Sequence, residues 1–212
     1  MLVAHGGCMN SSNKELPPEV AELQARGEQA VADLFERDRD KLARFVVHRM
    51  DPRLLGRLDS DDVMQEAFLV IQRRYESYIA KPSVPFYVWM RALTGQVLID
   101  LHRKHLNLQI RNVNREVSLQ QQLPFQSSAD ALGDLLAASG TSPSNAMIRD
   151  EQAIVLRKAL ESMSELDREV LVLRHLEQLS NKEVASILEI DKSTATKRYI
   201  RALKRLGEML NS

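Results

Sequence analysis

The sequence predicts an all-α protein, built as two small helical domains joined by a long flexible linker. Three observations carry that reading. Apolar residues recur at helical spacing through two stretches, from about Glu19 to Leu106 and from about Ala146 to Leu210, and no alternating run is long enough for a strand. Only 8 Gly and 7 Pro occur in 212 residues, which leaves few tight turns. Between the two stretches lies a polar segment holding Gln120-Gln121-Gln122, Ser127-Ser128 and Ser139-Gly140-Thr141-Ser142-Pro143, a composition suited to a linker. The boundaries that follow are a leader over 1–18, a first domain over 19–106, a linker over 107–149 and a second domain over 150–212.

The leader holds Asn10, Ser11, Ser12 and Asn13 ahead of Pro17-Pro18, and Met9 would serve as a start as well as Met1. Its first residues lack a basic n-region and an apolar h-region, so it does not read as a secretion signal. In the first domain, Val63, Ala67, Val70 and Ile71 fall on one face of a helix whose first turn is crowded with Asp59, Asp61 and Asp62, as the macrodipole favours. Two prolines in Ala80–Pro85 then force a loop. Phe86, Trp89, Met90, Leu93, Val97 and Leu101 form the apolar side of the next helix, with Phe86 and Trp89 read as core. Within the linker only Leu132, Leu135 and Leu136 make an apolar patch.

The second domain is punctuated more sharply. Ser164-Glu165-Leu166-Asp167 and Ser180-Asn181-Lys182-Glu183 fit the capping-box pattern, the second better because Glu is the usual partner. They predict helix starts near 165 and 181. A third helix is expected from about Lys192, after the connector Glu189-Ile190-Asp191, with Tyr199, Leu203, Leu206 and Leu210 as its apolar stripe.

The 29 Lys and Arg balance the 29 Asp and Glu, yet this neutrality hides a local asymmetry. Lys192, Lys197, Arg198, Arg201, Lys204 and Arg205 follow one another with no acid among them. A basic helix with an apolar back, set behind a capped helix and a short turn, suits a duplex groove. Ala185 supports this, since close helix crossing needs a small residue there.

Other classes are excluded. A hydrophobic fraction of 44% and a charged fraction of 27% are those of a globular chain rather than a disordered one. One cysteine, Cys8, rules out an internal disulfide framework and fits a reducing, cytoplasmic setting. No apolar run is long enough for a membrane span, so no membrane insertion is expected. Neither a nucleophile elbow nor a phosphate-binding glycine loop is present, so an enzyme is not expected. His102 and His105 lack partner cysteines and read as surface residues, and no metal or cofactor is implied.

Three runs of residues then resemble a known family. Ser164–Arg174, Leu179–Leu188 and Ser193–Leu206 resemble region 4 of bacterial sigma factors. Asp62-Val63-Met64-Gln65-Glu66-Ala67-Phe68 resembles the region 2.2 motif, and the stretch from Phe86 through Trp89, Gln96 and Asp100 to Lys104 resembles regions 2.3–2.4. Two such regions in this order, with no third domain between them, look like the extracytoplasmic-function (ECF) sigma factors. The resemblance departs from the family pattern at Glu189, where Gly is usual, at Ala195, where Val is usual, and at Gln96, where Asn is usual.

The resemblance implies roles. Asp61, Asp62, Gln65 and Glu66 would meet core RNA polymerase at the clamp of its largest subunit. The loop over 80–86 would capture a flipped base of the −10 promoter strand, with Arg91, Gln96, Arg103 and Lys104 contacting that strand. Lys192, Ser193, Thr196 and Lys197 would enter the major groove of the −35 element. Lys197 could reach guanine acceptors there, while Arg198 and Arg201 take phosphates or a base. The linker would thread the polymerase RNA-exit channel. An anti-sigma factor clamping both domains is the implied regulator. The competing readings are an autonomous helix-turn-helix regulator that binds duplex DNA without polymerase, and an interaction protein that keeps only the Asp61–Glu66 face.

Overall fold

A computed structural model describes residues 17–50, 58–106, 132 and 146–210. Most of the leader and of the 107–149 segment, Leu135 and Leu136 included, lies outside the described residues. Among those described, all regular structure is helical, as the sequence predicts. No helix among them is long and apolar enough to cross a membrane.

Helix α1, Glu19–Arg26, breaks at Gly27, whose φ of 54° with ψ of −129° only glycine adopts without strain. Helix α2, Glu28–Arg49, continues the chain as one long rod. Helix α3, Ser60–Ala80, starts at a reciprocal capping box: Asp59 Oδ1 accepts from the Asp62 amide at 2.8 Å and Asp62 Oδ2 from the Asp59 amide at 3.1 Å. The prolines at 82 and 85 end it, and helix α4, Phe86–Leu106, follows. Helix α5, Ala146–Ser162, opens the C-terminal half. Helices α6, Glu165–His175, α7, Asn181–Ile187, and α8, Lys192–Leu210, complete it.

The helix starts at 165, 181 and 192 coincide with the positions expected from the sequence. Ser180 and Glu183 form a complete box, whereas at Ser164 only the side-chain half forms, with Oγ accepting from the Asp167 amide at 3.3 Å. The Asp167 carboxylate instead pairs with Arg198 at 3.2 Å.

Among the described residues, two buried apolar clusters hold the fold. One gathers Leu34, Phe45, Ile71, Phe86 and Leu98 of α2–α4 and runs on into Leu173, Leu179, Val184 and Ile187 of the C-terminal half. The other joins Leu132 to Leu156, Leu160, Leu171, Ala202 and Leu206. Phe86 is fully buried and Trp89 stacks on it, with ring centroids 5.4 Å apart, as expected of core residues.

Two expectations are corrected. The buried line of α8 is Ala195, Ala202 and Leu206, with Tyr199 half-buried against the second cluster. Leu203 and Leu210 instead face outward at 40% and 43% exposure, because the helix packs on α6 and α7 through its small residues. His102 is buried at 4% exposure rather than on the surface, since it falls on the inward side of α4.

Candidate nucleic-acid interface

Helices α7 and α8 form a helix-turn-helix whose turn is fixed by named bonds. The Ile190 amide donates to the Ala185 carbonyl at 3.0 Å, and Ala185 is buried at the crossing. Glu189 sits at φ 52°, the left-handed backbone for which the resembling family uses glycine. Asp191 caps α8: its Oδ1 accepts from the Thr194 amide at 2.9 Å and from the Ser193 hydroxyl at 2.6 Å, and its Oδ2 accepts from the Thr194 hydroxyl. The Ser193 and Thr194 hydroxyls and the Thr194 amide hold its carboxyl well below the usual carboxylate range.

Asn181 is a positioning residue that the sequence reading passed over. Its Nδ2 donates to the Lys192 carbonyl at 2.8 Å and to Thr196 Oγ1 at 2.9 Å, which ties the start of α7 to the first turn of α8. Spacing alone gives no sign of this, because the two residues meet only after the turn closes.

The six residues expected on the −35 side lie together on α8. Lys192, Ser193, Thr196, Lys197 and Arg201 are exposed, and Lys197 and Arg201 occupy one face. Arg198 is half-buried and pairs with Asp167 at 3.2 Å, which braces α8 against α6. Behind it the Tyr199 hydroxyl meets His175 Nε2 at 3.2 Å, and burial together with Arg174 lowers the His175 pKa. The exposed side of α8 at Lys197 and Arg201 is thus basic, and its rear is locked.

Asp61, Asp62, Gln65 and Glu66 are all exposed on one side of the first turns of α3. Asp61 is 3.3 Å from Arg39 of α2, and Asp62 is engaged in the cap. The α4 residues are less uniform. Arg103 and Lys104 are exposed, with Arg103 3.7 Å from Asp100, and Gln96 is half-buried. Arg91 is 9% exposed: Glu177 accepts from its Nε at 2.6 Å and from its Nη2 at 2.8 Å, and the guanidinium lies 4.3 Å over the Phe45 ring. Burial alone would lower its pKa, but Glu177 outweighs that and keeps it firmly protonated. The structure therefore brings the α8 set together, and separately the α3 set, but not Arg91 with Arg103 and Lys104. Among the described residues no group of His, Cys, Asp and Glu could hold a metal ion.

Residues 153–206 match the family described as sigma-70, region 4. Over 152 residues the chain is 26% identical to the RNA polymerase sigma-H factor of Pseudomonas aeruginosa, an alignment covering 72% of this chain and 73% of that protein. Over 150 residues it is 27% identical to the ECF RNA polymerase sigma-E factor of Escherichia coli K12, covering 68% and 70%. CnrH, solved in complex with the cytosolic domain of CnrY, aligns with 91% of this chain and 95% of its own at 21% identity and a TM-score of 0.48. The similarity is thus to sigma-70 region 4 over residues 153–206, and to ECF sigma factors of RNA polymerase over about two thirds of the chain.

Proposed function

We propose that the chain acts as a sigma factor that binds core RNA polymerase and directs promoter-specific transcription initiation. The chemistry belongs to the polymerase, and the chain itself is no enzyme. Residues 19–106 form the polymerase-binding and −10 domain, and 150–212 the −35 domain. The exposed side of α3 at Asp61, Asp62, Gln65 and Glu66 offers acids and an amide to a basic helical surface. Arg103, Lys104 and Gln96 on α4 meet the −10 strand, and Arg91 joins them once its guanidinium is released. Lys192, Ser193, Thr196 and Lys197 read the −35 duplex, with Arg198 and Arg201 beside them.

The observation that carries this reading is the basic run Lys192–Arg205 of α8, which holds no acid, at the end of a capped helix-turn-helix in a chain with sigma-factor relatives. Net neutrality fits a protein with weak DNA affinity of its own, which gains specificity when polymerase holds both elements in register. An anti-sigma factor that engages both domains is the regulator proposed with it.

The experiment is titration of labelled protein with bacterial core RNA polymerase, and separately with duplex DNA, at physiological salt. Tight binding to core with little to DNA alone supports the sigma reading. Tight, salt-sensitive duplex binding with none to core overturns it in favour of an autonomous regulator.

A further inference from the structure

Two exposed hydroxyls stand on the first turns of α8, and each directs its single proton inward. Ser193 Oγ donates to Asp191 Oδ1 at 2.6 Å. Thr196 Oγ1 donates to the Lys192 carbonyl at 3.0 Å and accepts from Asn181 Nδ2 at 2.9 Å. Asn181 Nδ2 also donates to that same carbonyl at 2.8 Å, which fixes the orientation of its amide. Turned over, the amide would set its own oxygen against the Lys192 carbonyl, two acceptors face to face. The Thr196 oxygen is therefore held toward α7, closed into a ring with Asn181 and Lys192, and its proton is committed there. Thr196 is nonetheless exposed. With its oxygen tied back, what it offers outward is its methyl group.

One turn on stands Ile200, 58% exposed, the most exposed large apolar side chain among the described residues. It lies four residues from Thr196 and three from Lys197, so it borders both on the helix surface. The buried line Ala195, Ala202 and Leu206 occupies the far side of the helix. An isoleucine among the exposed Lys197, Arg201 and Lys204 adds nothing to phosphate attraction and gains nothing from water. In a major groove it has one apolar partner among the four bases, the 5-methyl group of thymine.

We propose that Thr196 and Ile200 form a methyl-reading strip that selects thymine in the −35 duplex, beside Lys197 and Arg201, which supply the donors. The tie through Asn181 sharpens Thr196: a free hydroxyl donates or accepts and so tolerates several bases, whereas a methyl with its oxygen held back favours thymine. Four residues of helix separate the two side chains by about 6 Å along the axis, close to two base-pair steps of about 3.4 Å. The two thymine methyls accordingly fall within about two steps of each other. Where this duplex lies rests on the sigma reading, while what the strip presents rests on the hydrogen bonds and exposure alone.

The test begins with the full chain and bacterial core RNA polymerase transcribing a promoter library randomised over both elements. Enriched promoters are remade with each −35 dT in turn replaced by dU, which removes the 5-methyl group and leaves every hydrogen-bonding atom in place. At two positions dU lowers transcription about fourfold, the effect of one lost methyl contact. Thr196→Ser erases the difference at one of them and Ile200→Ala at the other, with helix content unchanged by circular dichroism. Thr196→Val, which keeps a methyl and has no hydroxyl, retains the preference for dT. Equal output from dT and dU throughout overturns the proposal, as does a preference that survives both Thr196→Ser and Ile200→Ala. So does its loss in Thr196→Val, since the hydroxyl would then be the reader, or enrichment of −35 elements without thymine. If the chain does not bind core, the sigma reading fails. The same library is then selected as bare duplex on the chain alone, and the same comparison of dT with dU decides for or against the strip. A library from which the chain enriches nothing overturns it too.

Discussion

Gln178 and Glu189 both hold left-handed backbone, at φ 56° and 52°, one at each end of the α7 segment. A residue with a Cβ carries roughly 1–2 kcal/mol of strain there, and glycine relieves it at an entropic cost of roughly 0.5–1 kcal/mol. Gln178 is exposed, so Gln178→Gly should stabilise the protein by about 0.5 kcal/mol, seen as a rise of about 1–2 °C in the thermal midpoint. An unchanged or lower midpoint would show that the strain is absorbed elsewhere. The sequence announced Glu189 as a departure from glycine but gave no notice of Gln178, since a left-handed position leaves no mark unless glycine occupies it. Asn181 was hidden for a related reason. Its bonds to Lys192 and Thr196 depend on how two helices cross, not on any local pattern. Asn181→Ala should leave the melting point nearly unchanged but weaken promoter-directed transcription several-fold, because the first turn of α8 loses its tether to α7.

Helix boundaries were far more legible than helix faces. Caps are local events, so Ser164, Ser180 and the connector before Lys192 marked the starts of α6, α7 and α8. Which side of α8 is buried depends on its neighbours, and α6 and α7 select Ala195 and Ala202 over Leu203 and Leu210. The basic side was nonetheless read correctly as a continuous exposed strip over Lys197 and Arg201, because charge resists burial whatever the packing. Lys197→Ala with Arg201→Ala should abolish promoter-directed transcription while sparing capture by core polymerase. Gln65→Arg with Glu66→Lys on α3 should do the reverse and weaken capture, a choice that leaves the Asp59–Asp62 cap intact. Run-off transcription and a polymerase pull-down separate the two outcomes.

At α7, burial pushes the Glu183 carboxyl up, but the Ser180 hydroxyl and amide and Lys41 together outweigh it and bring it below its ordinary 4.5. A lowered folded pKa means that the charged form contributes stability above pH 4.5, and that this contribution is lost as pH falls through the folded value. Unfolding free energy should therefore drop on acidification below that point, and Glu183→Gln should flatten the slope. Equal slopes in both chains would remove Glu183 from the account.

Taken whole, the two helical halves meet through apolar packing as well as through the linker. The first apolar cluster does not stop at α4 but takes in Leu173, Leu179, Val184 and Ile187, so both halves share a core. Sequence periodicity cannot reveal this, because it says which residues are apolar and not which half they join. Calorimetry should accordingly show one cooperative transition rather than two. Two well-separated transitions would mean that the shared cluster contributes little to either half.

Leu132 bears on how far the two halves can travel. It is fully buried among Leu156, Leu160 and Leu206, so the chain between Leu106 and Ala146 is fastened to the C-terminal helices partway along. Only residues 107–131 then act as the cord between the halves. At the extended limit they span at most about 90 Å, where the full connection would reach about 140 Å. A shorter cord raises the effective concentration of one half around the other, roughly as the inverse three-halves power of its length. Leu132 therefore sets a range limit on the separation of any two sites that the halves occupy together, and Leu132→Asp would lengthen that leash without touching either recognition surface.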